Sequence, residues 1–284
     1  MSSLATRRPG GRRHGSQRVL VALACLAVLA FSLFPVFVMV STAVDARAGD
    51  GSRSLLPTQL TLENFRFVLD EGGFTTYLRN SLVVALATVL VSGLLALLAS
   101  VAVSRFVFRF RTALLVMVLV VQMVPLEALV IPLFIQAKTL GLLNHLLGLV
   151  IVYVAFSLPF AIWTLRGFVA AVPRELEEAA YVDGASWPRM FWTILLPLCA
   201  PGLVATSVFS FITAWNEFVF AITFLNDQDS YTVAAGLRQF FTQYGTNWGA
   251  VMAGSTLITI PVMLFFVAVQ RRLSAGLVAG AVKG

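Results

Sequence analysis

Glu175, Glu177, Glu178 and Asp183 fall within one stretch, ELEEAAYVDGAS (Glu175 to Ser186), the densest acidic cluster in a chain with 20 Lys and Arg against 13 Asp and Glu. Each carboxylate would cost about 2.5 to 3.5 kcal/mol at the centre of a membrane helix, so the stretch belongs outside the lipid. Leu176, Ala179, Ala180 and Asp183 recur at i, i+3, i+4 and i+7, which predicts a short helix with one small, smooth face flanked by acids. A helix that rests on lipid headgroups carries Lys and Arg, and an acidic one is repelled by an anionic leaflet. The chemistry of this stretch is therefore docking against a partner protein.

A second group is sparser. Glu127 and Glu217 are the acids within or at the ends of long apolar runs, and ionisable groups in such positions face a cavity or the bundle interior. Trp215, Asn216 and Glu217 form a polar and aromatic cluster able to hydrogen-bond and stack against a solute, with Gln122, and more weakly Asn144, as further candidates. Counted from Gly202, Asn216 and Glu217 stand about 21 to 23 Å along a helix. A helix-packing role for the cluster is the competing reading.

The elements that must position these groups follow from composition. Of the 284 residues 59% are hydrophobic and 12% charged, and the mean hydropathy is +0.90, which defines an all-α integral membrane protein. Six runs are long enough to span a bilayer: about 19–41, 81–104, 112–136, 146–169, 202–225 and 248–270. Arginines gather in the tail 1–18 (Arg7, Arg8, Arg12, Arg13, Arg18), after the second run (Arg105, Arg109, Arg111), around the acidic loop (Arg166, Arg174, Arg189) and in the C-terminal tail 271–284 (Arg271, Arg272). Fewer lie on the other side, among them Arg47, Arg53 and Arg238, so both termini are expected in the cytoplasm. The basic balance is thus topological and does not indicate nucleic acid. Val19 to Val40 is longer than the apolar core of a signal peptide, so a retained first helix is expected.

Outside, LENFRFVL (Leu62 to Leu69) within residues 45–80 has the spacing of a short interfacial helix, a lid, a docking surface or a tether. In the loop 170–201, Pro173 suits a helix start, Gly184 a left-handed helix end, and Ser186 the cap of a following helix. Pro125, Pro132, Pro159 and Pro261 are candidate kinks, and Gly249, Gly254 and Ser255 candidate close-packing positions. Cys25 and Cys199 lack the spacing of a disulfide framework or a zinc site and read as lipid-facing or core residues; no metal site is expected.

Glu178-Ala179-Ala180, then Asp183-Gly184-Ala185 and the later Pro197, resemble the EAA loop of binding-protein-dependent ABC importer permeases. Asn80-Ser81, Pro125, Ile131-Pro132, Leu158-Pro159-Phe160, Trp215-Asn216-Glu217-Phe218 and the closing Gly276 to Gly284 extend the resemblance over most of the chain from about residue 55. The last two are similar to the smaller permease subunit of carbohydrate importers of the maltose type. The resemblance implies the type I permease fold of six spans in a bacterial cell membrane. It implies as partners a second permease subunit, an ATPase dimer and an extracytoplasmic solute-binding protein. It also implies that Glu178 to Ala185 form a coupling helix on the ATPase, that the tail from Gly276 reaches the same interface, and that the solute meeting Trp215, Asn216, Glu217 and Gln122 is a sugar or polyol. The chain has no GxxxxGK[ST] phosphate loop, so ATP and magnesium are expected on the partner, with no cofactor on this chain.

Overall fold

The computed structural model describes residues 13–48, 55–242 and 245–281. The basic tail up to Arg12, Arg53 and the closing Val282 to Gly284 lie outside the described residues. Helices dominate because apolar backbone in lipid must bond to itself. Helix α1 (Arg13–Ala43) is followed by the short α2 (Glu63–Arg66) and then α3 (Phe74–Arg105), α4 (Arg111–Gln122), α5 (Val130–Thr139) and α6 (Leu146–Ala171). Beyond them come α7 (Arg174–Val182), α8 (Trp187–Met190), α9 (Leu196–Asn216), α10 (Val219–Phe224), α11 (Val233–Leu237) and α12 (Trp248–Ala281). Among the described residues five helical stretches are long and apolar enough to cross a membrane, and α4 with the α5 segment makes a sixth crossing if the bent pair is one span.

That pair departs from the expected straight run 112–136. The axis turns by 94° between α4 and the segment starting at Leu126. Pro125 lacks an N–H and disfavours helical geometry at Val124, which ends α4. Pro159 and Pro261 sit inside helices that continue past them. The expected fifth run is displaced too. A helical stretch of 30 residues, Trp187–Asn216, contains α8, a π turn at Phe191–Leu195 and α9, and it passes through Pro197 and Pro201 instead of starting after them. It stops at Asn216, not near residue 225.

The bundle centres on α3, which lies against α6 and α9, while α1 lies along α12. Backbones come close where side chains are small. Ser92 and Ser210 hydroxyls meet at 3.3 Å between α3 and α9, and Ser100 donates to the Ile162 carbonyl on α6 at 3.1 Å. A Cβ on Gly202 would stand 2.5 Å from the Phe168 ring. Gly202→Ala is expected to cost about 1 to 3 kcal/mol through overpacking, read as a lower unfolding midpoint in detergent; an unchanged midpoint would show that the ring yields freely. Gly249 and Gly254 of α12 are also tightly enclosed, as expected for close-packing positions, the first by Asn64 of α2 and the second by Leu237 of α11 and Phe74 of α3.

Two buried clusters mark the two ends of the bundle. One gathers Met190, Phe191, Leu195, Leu165, Val101 and Ala180 at the end carrying α7. The other gathers Phe74, Tyr77, Trp215, Phe220 and Phe224 at the far end. There the expected short helix at Leu62 to Leu69 exists as α2 running into a π turn at Phe67–Glu71, and it is packed down. Val68 is fully buried, and the Asn64 amide donates to the carbonyls of Ala43 and Asp45 at 3.0 and 3.1 Å. Burial acts to raise the Asp45 pKa, but hydrogen bonds from Arg47, Thr58 and Gln59 outweigh it and hold the carboxylate below its ordinary range. Cys25 is exposed on α1 and Cys199 is buried.

Candidate functional site

Helix α7 begins directly after Pro173, and Glu175 and Glu177 occupy its first turn, where the helix dipole favours acids. It closes on Gly184, whose φ of 80° is the left-handed conformation predicted for it. The Gly184 N–H donates to Tyr181 O at 3.0 Å and the Ala185 N–H to Ala180 O at 2.9 Å, the paired bonds of a Schellman ending. Ser186 then precedes α8 in extended geometry, though its hydroxyl makes no capping bond.

The outward face differs from the one expected. Ala180, assigned to the docking face, is 6% exposed and packs inward with Met190 and Phe191. Glu178, Ala179, Asp183 and Gly184 are exposed as expected, joined by Tyr181 and by Val182 at 89% exposure; Ala185 is half-buried. The helix is rotated this way because its apolar side is used by its own bundle. Glu177 turns inward as well: its carboxylate pairs with the Arg105 guanidinium at 2.7 Å, and the same guanidinium donates to the Val172 carbonyl at 2.9 Å. Sequence reasoning missed this pair, reading Arg105 only as a topological charge. The available signal was a long basic side chain at the very end of an apolar run, able to reach along the helix ends.

At the far end a cavity of about 510 Å³ opens between α1, α9, α11 and α12. Trp215 and Asn216 line it together with Phe218, Arg238, Ser255 and Thr259. Asn216 is exposed to it, while Trp215 is 1% exposed and stacks on Phe211 with ring centroids 5.4 Å apart. Arg238, Ser255 and Thr259 were not foreseen as a group, since they meet only when α11 and α12 fold together.

Glu217 is placed beside this cavity but is not among its lining residues, because its oxygens are committed elsewhere. They accept the Tyr153 hydroxyl at 2.6 Å, the Phe220 N–H at 2.9 and 3.1 Å and the Ala221 N–H at 3.1 Å. Two of the otherwise unpaired first-turn N–H groups of α10 are thereby capped, and the chain breaks at Glu217 with φ −68° and ψ 124°. Gln122 is exposed at the end of α4 next to the 94° bend and is not brought to the cavity; Glu127 is exposed just beyond that bend. Asn144, with φ 61°, is a loop fastener: its side-chain oxygen accepts from Asn226 N–H at 2.7 Å, and its carbonyl accepts the Ser230 hydroxyl.

A bundle of membrane-length helices with a short acidic helix fastened to one end, and a largely apolar cavity carrying a few polar groups at the other, defines a multi-pass membrane protein. Residues 92–278 match the family described as the binding-protein-dependent transport system inner membrane component, and the chain belongs to that family. It is a transport component of the inner membrane and not an enzyme. Among its relatives, the diacetylchitobiose uptake system permease protein DasC of Streptomyces coelicolor is 42% identical, the match covering 89% of this chain and 92% of that protein. The trehalose transport system permease protein SugB of Mycobacterium tuberculosis is 34% identical across 97% of this chain and 100% of its own length. A bacterial ABC transporter involved in the import of the acidic polysaccharide alginate superposes with a TM-score of 0.79 at 20% identity, covering 93% of this chain and 99% of that one. The fold is that of a type I ABC importer permease.

Proposed function

We propose that this chain is the transmembrane permease subunit that carries a sugar or related polyol into the cell, with the solute delivered by an extracytoplasmic binding protein. A second, homologous permease subunit completes the pathway, and an ATPase dimer holding ATP and magnesium supplies the energy. Both termini and α7 lie in the cytoplasm. The observation that carries this reading is α7 itself: a helix closed by a left-handed Gly184, fastened inward through Ala180 and Glu177, with Glu178, Ala179, Val182 and Asp183 left exposed. Such a surface is rigid on its own side and unsatisfied on the other, which suits transmission of closure from a docked ATPase. Relatives named for diacetylchitobiose and trehalose support the solute class.

The cavity beside Trp215 and Asn216 is the proposed stretch of the solute pathway, with Glu217 holding the shape of its rim and Gln122 serving at the bend of the broken span. The test is uptake of labelled disaccharides by vesicles containing the two permease subunits, the ATPase and the binding protein. ATP-dependent accumulation is expected, and the isolated chain should hydrolyse no ATP. Accumulation that persists without the ATPase would overturn the reading in favour of a self-sufficient carrier. Asn216→Ala is expected to lower uptake by up to about tenfold, the worth of one or two hydrogen bonds to solute. Uptake at the unaltered rate would remove Asn216 from the pathway.

A further inference from the structure

We infer that α3 is a rigid strut between the docking helix and the outer cavity, and that the Arg105–Glu177 ion pair is the clamp by which α7 drives it. The inference rests on the proposed function and adds a route of transmission to it. At one end, the last residue of α3 grips two neighbours at once: Arg105 holds Glu177 on α7 at 2.7 Å and the Val172 carbonyl at the end of α6 at 2.9 Å. Both side chains of the pair are 11% exposed. The pair is held by charge at close range in a largely enclosed setting, and removing one partner alone would strand the charge of the other.

At its other end α3 is clamped again. The Asn80 amide donates to the carbonyls of Asp229 and Tyr231 at 2.8 and 3.0 Å, and the Ser81 hydroxyl accepts from the Val233 N–H at 2.8 Å. Val233 lines the outer cavity. Between the clamps α3 runs unbroken from Ser81 to Arg105, about 36 Å at 1.5 Å per residue, without an internal proline. Small and polar side chains along it seat it against α6 and α9. A displacement of α7 therefore reaches the wall of the cavity through a single stiff element with a polar lock at each end. Coupling of two sites requires such a connected element with a differential contact at each end. Arg105 and Glu177 are positioning residues in this scheme, since neither meets solute or nucleotide.

The experiment uses the assembled importer in vesicles and reads solute moved per ATP hydrolysed. Replacing both partners with apolar residues, Arg105→Met with Glu177→Met, removes the clamp while leaving no stranded charge, so the complex is expected to assemble. Solute per ATP should fall on the order of tenfold, the usual scale of a lost coupling contact, with ATP hydrolysis retained. Arg105→Lys, which keeps the ion pair, should recover most of the ratio. A wild-type ratio in the apolar pair would overturn the inference.

A second measurement does not depend on altering the clamp. Spin labels at the exposed positions Arg174 and Val107 should keep the same separation in nucleotide-free and ATP-bound complexes, because α7 and the end of α3 move as one body. A separation that changes between those states overturns the clamp, whatever the apolar pair does. Absence of ATP-dependent uptake by the unaltered complex would instead defeat the proposed function itself.

Discussion

Gly184→Val is expected to leave the chain in the membrane at normal abundance while reducing ATP-driven uptake by tenfold or more. An added Cβ meets no atom within 4 Å, so steric collision is not the cause. The cost lies in the backbone: φ is 80°, and a β-branched residue in that region is strained by about 1 to 3 kcal/mol. The turn is exposed, so the chain can relieve that strain by rotating out of the left-handed region. Relief breaks the bonds from Gly184 to Tyr181 and from Ala185 to Ala180, which set the direction in which α8 leaves α7. The docking face then loses its fixed relation to the 30-residue helical stretch that begins at Trp187. A graded series sharpens the test. Gly184→Asn, which tolerates left-handed geometry, should retain most uptake, and Gly184→Ala should fall between the two. Equal uptake by the valine and asparagine variants would show that the turn's conformation does not matter to transport.

Glu217→Ala is expected to destabilise the far end of the bundle by about 2 to 4 kcal/mol, because three neutral donors lose their acceptor at about 1 to 3 kcal/mol for each that stays buried. The carboxylate accepts three donors, from Tyr153, Phe220 and Ala221, and its loss strands a tyrosine hydroxyl together with two first-turn amides. Each hydrogen bond to a charged acceptor contributes about 1.5 to 3 kcal/mol, partly shared because two amides converge on one group. Glu217→Gln keeps an acceptor for the amides and gives up the charge, so a loss of about 1 to 2 kcal/mol is expected. Tyr153→Phe should cost a similar amount, and the two together less than their sum, since they delete the same bond. Thermal unfolding in detergent measures these four variants beside the wild type. An alanine variant that unfolds with the wild type would show that the break after Asn216 holds without its cap.

These two positions differ in how far the sequence alone reveals them. Gly184 was legible because helix endings are local. Pro173 opens α7, the left-handed glycine closes it and Ser186 precedes α8, each within a turn of the feature it controls. Glu217 was legible only as an acid in an apolar setting. Its proximity to Asn216 suggested a shared role, yet one side chain faces the cavity and its neighbour is drawn away to Tyr153. The expected helix through residue 225 failed for the same reason, because an apolar run continues in composition while the backbone breaks and is recapped by a side chain.

The sequence by itself determined the mostly helical membrane character and the helix–turn–helix of the acidic loop, though not the small antiparallel hairpin of Phe241–Thr242 with Gly245–Thr246. Those depend on transfer energies and backbone preferences summed over neighbouring residues. Tertiary structure alone decided which of several prolines breaks a span, and which way α7 faces. Periodicity placed Ala180 with Ala179 on one smooth side, but the bundle buries Ala180 against Met190 and Phe191 and leaves Val182 outside. Glu177 could turn inward only because Arg105, far back along the chain, arrives to neutralise it. A buried charge is tolerable only when paired, and the pairing is a property of the packed helices that no local window of sequence contains.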